Sequence, residues 1–374
     1  MTLFLSAFAI MMVGGVMALL FQRQPRTALT IGFGSASLGC IAGLFPAIQT
    51  LFDSEVLTFR QPWRVPYGEL FLQVDALSAF FLLAIFGLAF FAAIYGYEYL
   101  QAYQERKRLG AALFFFNLLI AAMAIVVTAR NGMLFLVAWE VMSLASYFLV
   151  NFEHERPEVR AAGFTYLVAT HLGTAFLLAM FVLAARETGS MSFDQFHLLA
   201  TISPATAGAL FVLAIIGFGT KAGFVPFHVW LPEAHPAAPS HVSALMSGVM
   251  IKTGIYGILR LLTFLGPPPA WWAITLVVIG ALSGIVGIIF ALAQRDLKRL
   301  LAYSSVENIG VIGLGLGVGL LGQTTGQPLV SVAGYAGALF HVLNHALFKG
   351  LLFLGAGSVL HATSTRDMER LGGL

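Results

Sequence analysis

Three lysines, Lys221, Lys252 and Lys349, lie inside long apolar stretches of the sequence. A charged side chain at the depth of a bilayer costs about 2.5–3.5 kcal/mol on insertion scales, so such residues are usually buried in protein, paired and functional. Burial makes a lysine release its proton more readily, and a neighbouring carboxylate opposes that effect. Lysines in this setting predict groups that gain and lose protons while the protein works.

His341, His345 and Lys349 follow one another at intervals of four residues in HVLNHALFKG. Residues four apart share one face of a helix, so these side chains form a stripe. Such a stripe fits a metal site, a haem site or a proton relay. No further acidic or cysteine ligands stand near the histidines, and haem held between two helices would require histidines on a second helix as well. The proton relay is the favoured hypothesis, beside the alternative of buried histidines with no role.

Two carboxylates stand in similarly apolar surroundings: Glu140 in LVAWEVMSLASYFLV and Glu307 in AYSSVENIGVI. Glu140 either forms a fixed ion pair with a lysine that joins two helices, or carries protons and rests against Lys221 when idle. Glu307 is a further proton-transfer candidate. The complete candidate set is Glu140, Lys221, Lys252, Glu307, His341, His345 and Lys349.

Other ionisable residues receive simpler interpretations. His171, alone inside an apolar stretch, is expected to hydrogen-bond within its helix, and Asp75 is expected to cap a helix or face solvent. The basic run Arg106–Arg108 is expected to anchor a helix end. Four histidines at the ends of apolar stretches are candidate proton entry or exit groups: His228, His235, His241 and His361.

The composition is that of a membrane protein. Of 374 residues, 59% are hydrophobic and 10% are charged, and the mean hydropathy is +0.88, whereas soluble domains carry about 25% charged residues. The single cysteine, Cys40, excludes a disulfide framework and an iron–sulfur cluster held by this chain alone. Because no dinucleotide-binding or nucleotide-binding loop is found either, we expect no cofactor, no metal, no catalytic centre and no nucleic-acid partner.

Eleven stretches are long enough to cross a bilayer, which requires about 20 mainly apolar residues. They lie near residues 2–21, 28–50, 74–97, 111–128, 131–150, 161–185, 208–230, 241–263, 271–291, 299–321 and 330–358. The sequence therefore predicts an all-α, polytopic membrane protein. The longest connection, which contains RQPWRVPYGE, is expected to be a structured outer loop.

The basic residues predict the orientation. Connections after odd-numbered spans hold twelve Arg and Lys, Lys298 among them, and those after even-numbered spans hold five, including Arg130 and Arg260. Since basic residues concentrate on the cytoplasmic side, we expect an external N-terminus and a cytoplasmic C-terminus of this chain. The first apolar stretch has no basic residue before it, so we interpret it as a retained span rather than a secretion signal.

The seventh span is expected to be broken. In GFGTKAGFVPFHVW, Pro226 follows Lys221 by five residues and removes a backbone donor. Interrupted helices at membrane depth are found where the freed backbone lines a cavity or faces an ion. We expect Gly217, Gly219 and Gly223 to let neighbouring helices approach closely.

The segments GTKAGFVPFHVWLPEAHPAAPSHVSALMSGVMIKTG, WEVMSLASYFLV and NHALFKGLLFLGAGSVLH resemble the proton-conducting membrane subunits of respiratory complex I and Mrp-type antiporters. The resemblance extends from about the third span to the end of the chain. It implies that Glu140, Lys221 and Lys252 form a proton path, with His345 and Lys349 on a central polar axis. Most similar to the hydrogenase-4 branch, which is found in formate hydrogenlyase-type and other membrane hydrogenase complexes, is the segment HPAAPSHVSALMSGVMIKTGIYGILR. Glu307-Asn308 stands where other branches usually have a histidine.

The resemblance also implies the domain organisation. Helices 1–3 would occupy residues 1–110, a complete five-helix repeat residues 111–263, and part of an inverted second repeat residues 264–374. The chain ends at MERLGGL, where a twelfth family helix would begin. We therefore expect that this is a fragment or that another polypeptide supplies the last three family helices.

The expected function is proton translocation in a redox-driven complex of the bacterial inner membrane, with electron transfer in partner subunits, both membrane and peripheral. The nearest alternative is a cation/proton antiporter subunit that uses the same residues with sodium, or a related ion-coupled uptake subunit. A haem-bearing electron carrier and an inert membrane anchor are the alternatives from other classes.

Overall fold

The computed structural model describes residues 1–373, and in this range eleven helical spans have the length and apolar composition to cross a membrane. Their number and order confirm the prediction from the sequence. The helices are α1 Thr2–Leu20, α2 Pro25–Asp53, α3 Ala76–Gln101, α4 Gly110–Thr128, α5 Gly132–Val150, α6 Pro157–Thr188, α7 Pro204–Ala222, α8 Leu231–Ala237, α9 Ser240–Leu245, α10 Lys252–Leu262, α11 Ala270–Leu292, α12 Leu297–Thr324 and α13 Pro328–Thr363. Between α9 and α10, Met246–Met250 is π-helical, and the three segments form one continuous span.

The connection between α2 and α3 is a β-hairpin, as expected of a structured loop. Strands β1 (Leu57–Pro62) and β2 (Glu69–Val74) pair antiparallel, with Leu57 opposite Val74. The Arg60 side chain joins Glu69 on the facing strand and Asp194 in the connection between α6 and α7. The hairpin is thereby fastened to a second connection on the same side of the molecule.

The span from residue 240 to 262 lies at the centre of the molecule. It is buried throughout, and its segments pack against α3, α7 and α13. Helix α11, in contrast, is mostly exposed along its length and contacts mainly α12. A charged side chain on the central span is therefore surrounded by protein.

The seventh span is broken, but earlier than its proline predicts. Helix α7 ends at Ala222 because Gly223 adopts a left-handed conformation with φ of 88°, which suits glycine. The Trp230 indole N–H donates to the Thr220 carbonyl oxygen at 2.8 Å and so satisfies a helix-end acceptor. The expected span of 208–230 is thus wrong at its C-terminal end. The helix stops before Pro226, and α8 resumes at Leu231.

Glycines allow α7 to approach two of its neighbours. A Cβ at Gly254 of α10 would lie 2.4 Å from the Phe218 carbonyl oxygen of α7, and one at Gly217 would lie 2.5 Å from Leu177 of α6. Gly219 was expected to act in the same way, but its nearest neighbour, Phe224, lies at 3.5 Å. The close approach therefore depends on Gly217 and Gly254 rather than on Gly219.

Candidate functional site

Lys221 lies in the last turn of α7 and is 2% exposed. Its Nζ donates to Ser143 Oγ at 2.8 Å and to the Tyr166 hydroxyl at 3.3 Å. The ammonium also lies 5.4 Å from the Trp139 ring centre and 5.5 Å from that of Tyr166, within the range of cation–π attraction. Neutral hydroxyls and aromatic faces, rather than a carboxylate, stabilise this buried charge.

Glu140 does not form the expected ion pair with Lys221 in the part of the chain that the structure describes. Its Oε2 lies 3.3 Å from Nε2 of His171, a contact between half-exposed side chains of α5 and α6. Oε1 is buried and has no hydrogen-bond partner within residues 1–373. Glu140 lies one turn before Ser143 on α5, and Ser143 accepts the Lys221 hydrogen bond, so the carboxyl group is on the side of α5 that is near the ammonium. The alternative of a fixed Glu140–Lys221 ion pair is therefore wrong, since Ser143 and Tyr166 occupy the place of the carboxylate, and the proton-carrier hypothesis for Glu140 stays a prediction.

His171 forms the helix hydrogen bond expected of it, with Nδ1 2.9 Å from the Leu167 carbonyl oxygen. Because a carbonyl oxygen only accepts, Nδ1 carries a proton. Nε2 of a neutral imidazole would then present a lone pair to Glu140. The contact is favourable only when His171 or Glu140 holds a further proton. The pair has the chemistry of a proton store, and no local pattern in the sequence indicates that the two residues face each other.

Lys252 begins α10 directly after the π-helical stretch and is 2% exposed. Its Nζ donates to the carbonyl oxygen of Ser247, inside that stretch. The Ser247 hydroxyl lies 2.7 Å from the hydroxyl of Ser305 on α12. Short π-helical segments are rare and occur often at functional sites. The irregular backbone here provides the oxygen that holds the lysine.

Lys349 and His345 lie on α13 and are both buried. Lys349 Nζ donates to the Leu301 carbonyl oxygen of α12 at 3.0 Å. Neither ring nitrogen of His345 has a hydrogen-bond partner among residues 1–373. Since buried polar groups are normally paired, often with ordered water, the His345 ring is a place at which water is expected to bind.

Asn308 fixes the tautomer of the neutral His341 ring. The Asn308 amide Nδ2 donates to the Ser304 carbonyl oxygen at 2.8 Å, which fixes the amide orientation. Oδ1 therefore faces His341 Nε2 at 2.9 Å, and Nε2 must donate to it. His341 then accepts a proton only at Nδ1. Glu307 lies beside this group, with Oε2 3.1 Å from Ser304 Oγ. The His341 and His345 rings are nearly parallel with centres 6.1 Å apart, so the stripe predicted from their spacing is present.

A fourth lysine, Lys298, is buried although the sequence does not predict its burial. Lys298 was counted in a connection, but it lies in the first turn of α12, is 1% exposed and donates to the Ala238 carbonyl oxygen at 2.7 Å. A cavity of about 490 Å³ reaches it from one end of the molecule. Nearby His235, expected at a span end, is fully buried, and neither of its ring nitrogens has a partner within the described residues. The burial of His235 depends on the packing of α8 against α12, which no local sequence pattern reveals.

Arg130 and Arg260 were also counted in connections, yet both are buried and pair with Asp75. Asp75 caps α3 as expected, accepting from the Ser78 N–H at 2.9 Å. It also accepts from Arg260 at 2.8 Å and from Arg130 at 2.5 Å. Burial alone would raise the pKa of the Asp75 carboxyl, but the two arginines and the Ser78 N–H outweigh it and hold that pKa well below its usual range. This cluster joins α3, the α4–α5 connection and α10.

Four lysines are thus buried, and each donates to a hydroxyl or carbonyl oxygen rather than to a carboxylate within residues 1–373. In the same range, no group of three or more His, Cys, Asp and Glu side chains is arranged to hold a metal ion. What the side chains can do is hold protons and pass them on through hydroxyl groups, imidazoles and water.

The profile of the family described as NADH:quinone oxidoreductase/Mrp antiporter, transmembrane, matches residues 129–374. The chain belongs to this family. It is 44% identical over 353 residues to hydrogenase-4 component B of Escherichia coli (strain K12), covering 93% of this chain and 52% of that protein. The chain spans about half the length of curated relatives that it matches.

Two solved structures have the same fold. The membrane-bound sulfane sulfur reductase, an archaeal respiratory membrane complex, matches with a TM-score of 0.84 at 27% identity, over 98% of this chain and 58% of that one. The Mrp complex from Dietzia sp. DQ12-45-1b matches with a TM-score of 0.84 at 29% identity, over 100% of this chain and 39% of that one. The resemblance to antiporter-like subunits, and to the hydrogenase-4 branch among them, is confirmed.

Proposed function

We propose that this chain is a proton-translocating membrane subunit of a redox-driven complex of the hydrogenase-4 type. The observation that carries the proposal is the set of buried lysines without carboxylate partners. An uncompensated buried charge destabilises a membrane protein, so such a set is expected to be retained for function. The similarity to hydrogenase-4 component B supports the redox-driven setting.

The proton path begins at the Glu140–His171 pair. A proton released from this pair removes positive charge near Lys221, and a proton added to it has the opposite effect, so the pair controls the proton on that ammonium. Lys221 exchanges protons with Ser143 and with the Tyr166 hydroxyl, which lies 2.5 Å from Ser146 Oγ. Glu140 stores the proton and Lys221 is the central switch.

Lys252 receives the proton next, at the centre of the molecule. Tyr166 reaches toward it, because its hydroxyl lies 3.9 Å from Met250 Sδ in the π-helical stretch that precedes Lys252. Beyond Lys252, the hydroxyls of Ser247 and Ser305 connect α9–α10 to α12. The proton then passes to His345 and Lys349, and on to His341 beside Glu307, with water bridging the gaps.

The arrangement of the complex follows from the same proposal. Residues 111–263 form the first antiporter-like repeat and residues 264–374 part of the second, behind the three N-terminal helices. The chain lies in a bacterial inner membrane with a periplasmic N-terminus, and the segment that follows α13 lies on the cytoplasmic side. Partner subunits, both peripheral and membrane-embedded, carry out the electron transfer.

A second candidate function is cation/proton antiport. It is favoured by the match over the whole of this chain to a subunit of the Mrp complex. Antiport would use the same lysines, with a metal cation such as sodium moving in the opposite direction. The two functions differ in whether proton movement requires electron transfer or a cation gradient.

The test uses inverted membrane vesicles that contain the whole complex, with a fluorescent probe of internal pH. Proton uptake that starts on addition of the electron donor, in buffers with and without sodium, supports the redox-driven function. Proton movement that occurs only when a sodium or potassium gradient is imposed, with no response to the electron donor, assigns the chain to antiport. The same vesicles without this chain provide the baseline.

A further inference from the structure

A groove of about 850 Å³ lies at one end of α4, α5 and α6 and has no part in the proton path. Its rim is formed by the turn before α4 and by the start of α6, and its floor by the first turns of α4 and the last turn of α5. Its volume lies within the range of about 300–1,000 Å³ that is typical of small-molecule pockets. The residues Arg106–Arg108 that precede α4, interpreted above only as a helix anchor, line one side of it.

The floor of the groove is aromatic. The Phe115 ring of α4 stacks on the Phe148 ring of α5, with centres 4.4 Å apart and planes inclined by 15°. Phe148 remains 49% exposed and Phe164 of α6 remains 66% exposed. The stacked pair and Phe164 thus leave apolar surface exposed inside the groove.

The rim of the groove is positively charged. It carries four basic side chains, Arg106, Lys107, Arg108 and Arg160, against the single carboxylate of Glu155. Lys107 is already used, since its Nζ lies 2.7 Å from Glu155 and donates to the Phe152 carbonyl oxygen at 2.6 Å. Arg106 and Arg108 are exposed and form no ion pair within residues 1–373. Two guanidinium groups therefore remain available for an anion.

The order of these groups along α4 matches the shape of a phospholipid. Arg108 stands two residues before the helix begins at Gly110, and Phe115 lies five residues further on, or roughly 7.5 Å along the axis at 1.5 Å per residue. Basic residues at the headgroup level and aromatic residues one to two turns deeper are where a phosphate and an acyl chain of one molecule would lie. Basic pockets between transmembrane helices recognise anionic headgroups in this manner.

We propose that this groove binds an anionic phospholipid, with its phosphate between Arg106 and Arg108 and one acyl chain along Phe148 and Phe164. The charge of the rim selects a net negative headgroup over a zwitterionic one, and guanidinium groups suit phosphate oxygens through paired N–H donors. The bound lipid fills the space between α4 and α6 and holds the ends of these helices together.

The test is carried out on the purified complex, stripped of lipid and then titrated with phosphatidylglycerol, with phosphatidylcholine or with inorganic phosphate. Bound lipid is counted by native mass spectrometry, and thermal denaturation of the complex is followed in parallel. The expected result is that phosphatidylglycerol binds and raises the denaturation temperature, whereas the other two do so weakly. An equal effect of inorganic phosphate would show a simple anion site, and an equal effect of phosphatidylcholine would show lipid binding without charge recognition; either overturns the proposal.

A double variant, R106Q/R108Q, tests the rim. Each basic residue near an anionic lipid contributes about a fivefold gain in affinity, so the loss of both is expected to weaken phosphatidylglycerol binding about thirtyfold. The matched control is R23Q/R26Q, which removes two exposed arginines, Arg23 from the α1–α2 connection and Arg26 from the first turn of α2. Unchanged binding in the first variant, or an equal loss in the control, contradicts the assignment.

Phe164 identifies the occupant directly. A photo-reactive amino acid at this position is expected to cross-link to phospholipid when the complex is illuminated in its membrane. A cross-link to another protein subunit would show that a partner covers the groove, and would overturn the proposal whatever the function of the chain.

Discussion

At the scale of single residues, the buried lysines are unusual for what surrounds them. Lys221, Lys252 and Lys349 each donate to neutral oxygens, and Glu140 approaches His171 instead of a lysine. A lysine whose charge is not balanced by a carboxylate contributes little to stability, because desolvation opposes its hydrogen bonds. Such a residue is stable in either protonation state only if the neighbouring oxygens tolerate both. The hydroxyls at Lys221 do so because they donate as well as accept, and the carbonyl oxygens at Lys252 and Lys349 do so because they accept from an ammonium or from a neutral amine.

This argument predicts that Lys252→Met leaves the fold intact. Methionine fills a similar volume without an uncompensated charge, so we expect the denaturation temperature of the detergent-solubilised complex to stay unchanged or to rise, while proton uptake is lost. The measurement is thermal denaturation beside proton uptake for the same preparation. If Lys252→Met instead lowers the denaturation temperature by several degrees, the lysine has a structural role.

The hydrogen bond of Asn308 predicts a positioning effect on His341. Asn308→Leu removes the acceptor that fixes the Nε2–H tautomer, so both tautomers of the neutral ring become available. Proton transfer should slow by about tenfold, which is less than the roughly 10²–10⁴-fold that a general acid–base group contributes, because His341 itself is retained. Asn308→Asp keeps an acceptor oxygen and is expected to retain more activity while its pH profile shifts. Equal rates in Asn308→Leu and the wild type would contradict the role assigned to Asn308.

At the scale of the elements, the spacing of residues in the sequence predicts which side chains share a face of one helix. It does not predict which side chains of different helices meet. The His341, His345 and Lys349 stripe follows from the period of α13, and the eleven spans follow from apolar length. The burial of Lys298 and the meeting of Glu140 with His171 depend on how α12 packs on α8 and α5 on α6, which no local pattern records. The end of α7 differs from the prediction because the left-handed backbone conformation of Gly223, and not Pro226, terminates the helix.

The contact between α7 and α10 predicts the effect of adding a methyl group. Gly254→Ala would place Cβ 2.4 Å from the Phe218 carbonyl oxygen, and overpacking of this kind costs about 1–3 kcal/mol. We expect a lower denaturation temperature and displacement of Lys221 and Lys252 from each other. Gly219→Ala is the matched control, since its Cβ would lie 3.5 Å from the nearest atom. Equal stability of the two variants would show that the helices are not tightly packed here.

At the scale of the whole molecule, the end that carries the β-hairpin is held together by charge. Asp75 at the start of α3 pairs with Arg130 before α5 and with Arg260 at the end of α10, and so ties the peripheral and central helices to the β-hairpin. From the sequence, both arginines are predicted in connections, because a sequence shows neither how deeply a side chain is buried nor which carboxylate it pairs with. Spans separated by more than a hundred residues meet at this one carboxylate.

The Asp75 cluster predicts a pH dependence of stability. The pKa of Asp75 is lower in the folded protein than in the unfolded chain, where it is about 3.9, so its stabilisation is fully present above that value and is lost as the pH falls through the lower, folded value. Asp75→Asn should therefore lower the denaturation temperature at pH 7, by an amount that corresponds to about 3 kcal/mol for a broken, largely buried pair. The difference from the wild type should shrink below about pH 4.

The control for this prediction is Asp194→Asn, which removes the exposed partner of Arg60. Exposed pairs contribute about 0–1 kcal/mol, so this change should be small at every pH. A constant difference between Asp75→Asn and the wild type from pH 7 to pH 3 would show that the cluster does not depend on the charge of Asp75.

The central claim is that buried lysines without carboxylate partners conduct protons, and its most direct test is proton uptake by inverted vesicles that carry the complex with Lys221→Met. Arg295→Ala serves as the control, because it removes one positive charge from an exposed end of the molecule. We predict that Lys221→Met assembles to the wild-type level, retains electron transfer at an unchanged or reduced rate and loses proton uptake, while Arg295→Ala retains both. Proton uptake at the wild-type level in Lys221→Met would contradict the account and leave the lysines with a structural role.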